Sequence, residues 1–211
     1  MFANRTEAAR QLARRLQAFR GETPLVLAIP RGGVPMGRIV AEALEGELDV
    51  VLVHKLGAPG NPELAIGAVS EHGDVFVHET AGALGVRRDY IEREAEEQLR
   101  TLRARRERYT PHRDPISPEG RTVIVVDDGV ATGSTMEAAL KTLREAGAET
   151  LVVAVAVAPA DTVETLRAEA DEVVCLEVPE PFVAVGQAFV EFGPVTDEDA
   201  IAALESTSGE D

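Results

Sequence analysis

The chain has 211 residues, 45% of them hydrophobic, a size that provides one substantial core rather than clearly two. Its 21 basic and 37 acidic residues give a formal net charge of -16, so the phosphates of a nucleic acid would be repelled over most of the surface. We therefore expect one domain over residues 1–211 and no general binding of DNA or RNA.

The N-terminal residues and the apolar runs indicate whether the protein is exported or inserted into a membrane. Residues 1–16 contain five charged side chains and no apolar segment of the kind that a signal peptide needs. The longest apolar run, residues 151–160, is well short of the roughly 20 residues that cross a bilayer. Cys175 is the only cysteine, which excludes an internal disulfide. We expect a cytoplasmic protein that does not associate with membranes.

The order of helical and apolar segments predicts the fold class. Helical spacing occupies residues 5–19, 35–44, 135–146 and 162–168. Short apolar runs typical of buried strands occupy residues 25–29, 50–53, 123–126, 151–157 and 173–176. Strands that alternate with helices form right-handed crossovers, so we predict a doubly wound α/β fold with a mostly parallel sheet.

A long insertion, about 56–120, separates the second apolar run from the third. Residues 64–77 predict a hairpin that turns at Gly73, and residues 87–109 predict a helix with four-apart ion pairs. The basic stretch 87–113 has nine arginines and six acids. It could form a mobile lid that closes arginines over a ligand, but an exposed helix with ion pairs is the favoured interpretation for any individual arginine.

The C-terminal stretch, about 179–211, is rich in proline, glycine and acidic residues. Only residues 197–204 show helical character there, with Thr196 as a plausible N-cap. We expect this stretch to form a hood over the open end of the sheet, with a frayed terminus as the alternative.

The third apolar run leads into the most informative motif, VIVVDDGVATGST at residues 123–135. Ligands of open parallel sheets bind beyond the carboxyl ends of the strands. Asp127 and Asp128 can accept hydrogen bonds from two vicinal hydroxyls, and they can hold Mg²⁺ directly or through water. The following small residues can direct backbone N–H groups at a phosphate. These residues are Ala131, Thr132, Gly133, Ser134 and Thr135.

The motif has three other interpretations. A nucleotide P-loop needs a lysine before Ser or Thr, which this loop lacks, and the glycine spacing of a dinucleotide site is also absent. Alternatively, Ser134 merely caps a helix while both carboxylates face solvent. Adjacent carboxylates repel each other, however, so a cation or hydroxyls at this position explain them better.

VIVVDDGVATGST resembles the thirteen-residue phosphoribosyl pyrophosphate signature of the type I phosphoribosyltransferases, in the same order of strand, acid pair, loop and helix. The resemblance implies that Asp127 and Asp128 bind the ribose hydroxyls and that residues 131–135 hold the 5-phosphate. It also implies Mg²⁺ as cofactor. Residues 55–70 and 179–192 resemble a subfamily of uncharacterised phosphoribosyltransferases, which extends the likeness over most of the chain.

The first apolar run ends in a second glycine-rich loop, IPRGGVPMG at residues 29–37. Gly32 and Gly33 permit a backbone to approach an anion, and Arg31 supplies a charge-assisted contact. Similar loops in the family bind the pyrophosphate, often with a non-proline cis peptide. Lys55, after the second run, is predicted at the same edge, where related enzymes place a basic residue on the pyrophosphate. A plain tight turn and a solvated lysine are the alternatives.

The resemblance implies transfer of the phosphoribosyl group to or from a nucleobase-like acceptor, with pyrophosphate as the leaving group. The acid pair would favour a cationic ribose ring, while Mg²⁺, Arg31 and Lys55 would favour the leaving group. Ala131 stands where some purine-base members place an acid, so no general base is assigned. Two alternatives stay open: a regulatory protein that binds the phosphoribosyl group without turnover, and a phosphatase or hydrolase of a sugar phosphate. The expected partners are phosphoribosyl pyrophosphate and an unidentified base, and a homodimer is compatible with the sequence.

Overall fold

The computed structural model of the chain describes residues 1–111 and 113–205, with a five-stranded parallel sheet at its centre. The strands of this sheet are β1 (Leu25–Ala28), β2 (Glu47–Val50), β6 (Thr122–Asp127), β7 (Thr150–Val157) and β8 (Glu172–Glu177), in the order β2-β1-β6-β7-β8. A separate antiparallel sheet contains β3 (Val53–Ala58), β4 (Asn61–Ser70) and β5 (Val75–Val77). The helices are α1 (Arg5–Arg15), α2 (Gly33–Leu44), α3 (Glu79–Ala83), α4 (Arg88–Tyr109), α5 (Ser134–Glu145), α6 (Ala160–Glu169) and α7 (Asp197–Glu205).

The central strands β1, β6 and β7 of the parallel sheet are buried on both faces, which explains why they are continuous apolar runs. Alternate residues point to opposite faces, so Val26 and Val126 belong to one core cluster while Leu27 and Val125 belong to the other. Helices α1 and α2 contribute to the first cluster, and α5 and α6 contribute to the second. The predicted doubly wound α/β fold is therefore confirmed.

The predicted second strand, residues 50–53, is wrong in its position. The chain leaves the parallel sheet after Val50 and enters the antiparallel sheet at Val53. Val51 and Leu52 between them are buried, so the apolar pattern continues through the junction although the strand does not. The predicted hairpin is confirmed, because β4 pairs with β5 and Gly73 in the turn has a φ of 96°.

A cluster of buried charges joins α4 to the parallel sheet. Arg106 forms a fork on Glu71, with its Nε and Nη2 atoms each 2.5 Å from a carboxylate oxygen, and its Nη1 donates to Asp49 at 2.7 Å. Asp49 is 1% exposed and also accepts from the Arg113 guanidinium and the Ile116 N–H. These contacts anchor α4, which favours the ordered helix over the mobile lid.

The N-terminal segment pairs with the predicted hood. The Phe2 N–H donates to the Ala188 carbonyl at 2.7 Å, and the Val190 N–H donates to the Phe2 carbonyl at 2.8 Å. A further backbone bond, from the Glu191 N–H to the Ala3 carbonyl, continues this pairing up to the start of α1, where the Asn4 side chain caps the helix. The first residues of the chain are thereby held beside the carboxyl edge of the parallel sheet.

Helix α7 lies where the sequence predicts it, one residue longer than residues 197–204. The Asp199 N–H donates to Thr196 Oγ1 at 3.1 Å, so Thr196 is an N-cap. Residues 206–211 of the predicted hood lie outside the described residues. No helix within the described ranges combines the length and apolar character that crossing a bilayer requires.

Candidate functional site

Two loops meet at the carboxyl edge of the parallel sheet, where β1 and β6 end side by side. A Cβ built on Gly32 would lie 2.0 Å from Asp128 Oδ2, and one on Gly33 would lie 2.5 Å from the Val126 carbonyl oxygen. A larger residue at Gly33 would therefore push the loop after β1 away from β6, and one at Gly32 would displace the Asp128 carboxylate. The sequence suggested these glycines for the approach of an anion, whereas the structure gives them a second task, the contact between the loops themselves.

The loop that follows β1, called the first loop from here on, makes a tight turn into α2. The peptide bond between Pro30 and Arg31 is cis. The N–H groups of Gly33 and Val34 donate to the carbonyls of Ile29 and Arg31, both at 3.1 Å, so the turn itself uses these two amides. The Arg31 side chain remains more than half exposed, so it can reach an anion.

Asp127 and Asp128 lie at the end of β6 in an electrostatically unfavourable arrangement. Burial, followed by the negative charge of Asp128, raises the pKa of Asp127 well above its ordinary value. One Asp127 oxygen accepts the Asp128 N–H at 2.8 Å. Positive charge comes from α1, since Arg5 Nε donates to Asp128 Oδ2 at 2.8 Å. Two adjacent carboxylates thus face one guanidinium.

The loop after the acid pair, residues 129–135, is called the small-residue loop from here on. It is anchored at its start and open at its end. The Val130 N–H donates to the Val157 carbonyl at 2.9 Å, and Thr162 Oγ1 donates to the Ala131 carbonyl at 2.8 Å. Gly133 has the predicted positive φ, 83°, and leads into α5. The first N–H groups of a helix have no intrahelical acceptor, so they are available to an anion. The exposed residues here are Ala131, Thr132 and Thr135, with Ser134 half-buried.

An arginine-lined cavity of about 610 Å³ adjoins the first loop. Arg31 lines it from the loop, while Arg105 and Arg108 line it from α4. Asp197 at the start of α7 lies 2.5 Å from an Arg108 nitrogen and 3.8 Å from an Arg31 nitrogen, and it accepts the Tyr109 hydroxyl at 3.0 Å. Three guanidinium groups around one carboxylate favour the binding of a further anion.

Lys55 lies within β3, opposite Ala68 of β4, and follows the end of β2 at Val50 in the chain. Burial and the charge of Arg105 lower the pKa of His54, with a smaller contribution from Lys55, while Glu94 opposes them. Lys55 therefore shares a basic neighbourhood with the cavity-lining Arg105, and its contact with a ligand stays a prediction.

Asp127 and Asp128 are the carboxylates of this site that would bind Mg²⁺. Within residues 1–111 and 113–205, no three or more His, Cys, Asp or Glu side chains are grouped to hold a metal ion. Proteins often bind Mg²⁺ through one or two carboxylates, with water and substrate phosphates as the other ligands. Asp127 and Asp128 fit this substrate-shared mode.

Three basic residues at the site were not singled out from the sequence. Arg5 precedes Asp128 by 123 residues, and its surroundings predict only a charged helix face. Arg105 and Arg108 lie in the basic stretch, whose charge excess was a signal, but helical spacing alone did not indicate which arginines face the first loop.

Comparison with known proteins gives consistent matches. A family model described as the phosphoribosyl transferase domain matches residues 3–190. Two proteins of Mycobacterium tuberculosis, from strains CDC 1551 and H37Rv and provisionally named phosphoribosyl transferases, are each 43% identical to the chain over 213 residues. The match covers 97% of this chain and 46% of each relative, so the chain spans about half the length of these curated relatives.

A solved structure is similar over the whole chain. The crystal structure of the protein TT1426 from Thermus thermophilus is 48% identical, with a TM-score of 0.90 and coverage of 99% of both chains. The two proteins therefore share the fold described above, including the antiparallel insertion and the hood.

Proposed function

The chain belongs to the phosphoribosyl transferase domain family, and from that premise we propose that it binds phosphoribosyl pyrophosphate at the carboxyl ends of β1 and β6. One observation carries the proposal: the acid pair contacts the first loop through Gly32 and runs directly into the small-residue loop. In this proposal Asp127 and Asp128 accept hydrogen bonds from the ribose hydroxyls, and residues 131–135 hold the 5-phosphate.

The arginine-lined cavity is assigned to the pyrophosphate. Arg31 lines this cavity from the first loop, and Arg105 and Arg108 line it from the anchored helix α4. Gly32 and Gly33 contribute by allowing the first loop to lie against β6. Lys55 adds positive charge from β3. A pyrophosphate would compete there with the Asp197 carboxylate, which now pairs with Arg108.

The proposed reaction transfers the phosphoribosyl group to a nucleobase-like acceptor. The bond between C1 and the pyrophosphate oxygen breaks, which builds positive charge on the ribose ring and negative charge on the leaving group. The carboxylates of Asp127 and Asp128 stabilise the ring, and the arginines stabilise the pyrophosphate, without a covalent bond to the protein. When bound by the acid pair and the substrate, Mg²⁺ supplies further neutralisation of the leaving group.

The hood is the proposed site of the acceptor. Its residue Val185 packs on the small-residue loop, because a Cβ on Gly129 would lie 2.5 Å from a Val185 methyl. Phe182 and Val185 both pack against the core cluster on the α1 and α2 side of the sheet. An acceptor under this hood would meet mainly apolar side chains, which suits a flat heteroaromatic base.

The test is an assay of pyrophosphate release from phosphoribosyl pyrophosphate, Mg²⁺ and a panel of nucleobases. Asp128→Asn should lower the release by more than about tenfold, because it removes an ionised partner of the cationic ring. Asp114→Asn, at an exposed acid outside the site, is the control. Normal turnover by Asp128→Asn would remove the proposed role.

The same assay separates the alternatives. Arg31→Ala should weaken product inhibition by pyrophosphate, whereas Arg103→Ala on the exposed side of α4 should not. Binding of the donor without product across the whole panel would contradict the transferase and leave a binding protein. Release of free ribose 5-phosphate without any base would indicate a hydrolase.

A further inference from the structure

Arg5, close to the N-terminus, contacts the acid pair. The guanidinium of Arg5 makes three contacts: Nε donates to Asp128 Oδ2 at 2.8 Å, Nη1 donates to the Gly193 carbonyl at 2.7 Å, and Cζ lies 3.9 Å from the centre of the Phe192 ring. The side chains of Arg5 and Asp128 are 16% and 13% exposed. A charge-assisted hydrogen bond with so little solvent contact is stronger than a surface ion pair.

Arg5 is itself held in place by the surrounding hood. The Phe192 ring is stacked on Phe189 at 4.8 Å, and Phe189 in turn contacts the ring of Phe2 at 5.6 Å. Backbone hydrogen bonds join the same two segments. The guanidinium therefore approaches the acid pair from a packed aromatic support, and this fixes its direction.

Asp128 is confined from two sides. Its Oδ2 atom accepts from Arg5 and lies so close to Gly32 that a Cβ there would be 2.0 Å away. Rotation of the carboxylate would have to break the first contact or press against the first loop. With Oδ2 engaged, Oδ1 is the oxygen left to accept a hydrogen bond from a pentose hydroxyl.

We propose that Arg5 is a positioning residue of the pentose site, which holds the Asp128 carboxylate in place for the ribose hydroxyls and links that carboxylate to the hood. This inference rests on the proposed function. Three charged groups meet here: Asp127 at the end of β6, Asp128 directly after it, and Arg5 from α1. Loss of the guanidinium would remove the charged hydrogen bond that fixes Asp128 Oδ2 and would leave the carboxylate free to turn.

The test measures the affinity for phosphoribosyl pyrophosphate with Mg²⁺ by calorimetry. Arg5→Ala should weaken binding by about tenfold to a hundredfold. Because Arg5 acts through Asp128, adding Arg5→Ala to an Asp128→Asn variant should weaken binding by less than about threefold. Arg5→Lys should recover part of the affinity because it keeps the charge.

Two further variants separate positioning from a merely structural role. Arg10→Ala changes an exposed arginine of the same helix and should bind like the wild type. Phe192→Leu removes the aromatic support but keeps both charged side chains, so it should weaken binding by less than Arg5→Ala does. A loss of affinity in Arg5→Ala that is the same whether or not Asp128 has been changed to Asn would overturn the inference.

The outcomes also separate this inference from the proposed function. If the wild type binds no phosphoribosyl pyrophosphate, the proposed function fails and the positioning role fails with it. If the wild type binds and Arg5→Ala binds equally well, only the role of Arg5 is lost. Should Arg5→Ala not fold, Arg5→Lys and Arg5→Gln decide, because only the glutamine variant should show the full loss of affinity.

Discussion

Two groups of carboxylates lie on the strands that flank β1, and they are built in opposite ways. On β2, Asp49 is joined with Glu71 to the guanidinium of Arg106, and Arg113 adds a second positive charge. On β6, Asp127 and Asp128 have each other as neighbours and a single guanidinium against them. Both groups have little contact with solvent, but only the first is compensated charge for charge.

The difference indicates which buried acids belong to a binding site. A cluster whose charges balance within the protein needs no ligand to compensate them, so it serves to fasten α4 to the sheet. An undercompensated pair retains hydrogen-bonding capacity and excess negative charge, which hydroxyl donors or a cation can satisfy. Burial alone would not have separated the two groups, whereas the number and sign of their partners does.

The largest expected effect comes from breaking the compensated cluster. Arg106→Ala leaves Asp49 and Glu71 without their shared partner, and we expect a loss of about 3 to 5 kcal/mol in the free energy of unfolding. Chemical denaturation monitored by circular dichroism measures it. Arg103→Ala, one helical turn away and exposed, should change stability by less than about 0.5 kcal/mol.

Arg106→Ala also sharpens the distinction between fastening and binding. At a temperature where the variant is folded, its affinity for ribose 5-phosphate should stay within about threefold of the wild type, because this ligand uses the acid pair and the loop after it and not the arginines of α4. A variant of normal stability that has lost ribose 5-phosphate binding would show that the cluster belongs to the site and would end the comparison.

A smaller effect of opposite sign is expected at the undercompensated pair. The pKa of Asp127 is raised, so the folded protein holds a proton there more tightly than the unfolded chain does. Stability from this group therefore falls as the pH rises from the ordinary aspartate range through the raised pKa. Asp127→Asn cannot ionise and keeps an oxygen for the Asp128 N–H, so it should raise stability at neutral pH.

We expect Asp127→Asn to gain about 1 kcal/mol, seen as a rise of about 2 to 4 °C in the melting temperature without ligand. The gain should disappear in acid, where the wild-type carboxyl is protonated as well. Donor binding should weaken by more than about tenfold in the same variant, because the hydroxyl acceptor has lost its charge. A lower melting temperature at neutral pH would contradict the account of this pair.

The sequence predicted the elements whose signal is local. The strands β1, β6, β7 and β8 are continuous apolar runs, and the loop after β6 combines acids, small residues and a glycine that needs a positive φ. Each of these features depends on neighbours a few residues away. The parallel direction of the strands then followed from general rules of crossover connections.

Features that depend on distant contacts were missed or misplaced. The junction after β2 is as apolar as a strand, because Val51 and Leu52 are buried there, so periodicity could not divide β2 from β3. The contact between Arg5 and Asp128 joins two charged residues that no local pattern relates. Likewise, helical spacing places many arginines on α4 but does not say that Arg106 is buried while Arg105 lines a cavity.

The smallest effect is expected where the small-residue loop is fastened. Thr162 is buried, and its hydroxyl donates to the Ala131 carbonyl at 2.8 Å. Thr162→Val keeps the volume but removes this hydrogen bond, which should cost about 1 kcal/mol of stability and weaken ribose 5-phosphate binding by about two- to fivefold. The matched control is Thr165→Val, because that hydroxyl donates to the Asp161 carbonyl within the same helix and does not touch the loop. Equal affinities in the two variants would mean that the loop holds its shape without Thr162, through Gly133 and the backbone bond from Val130 alone.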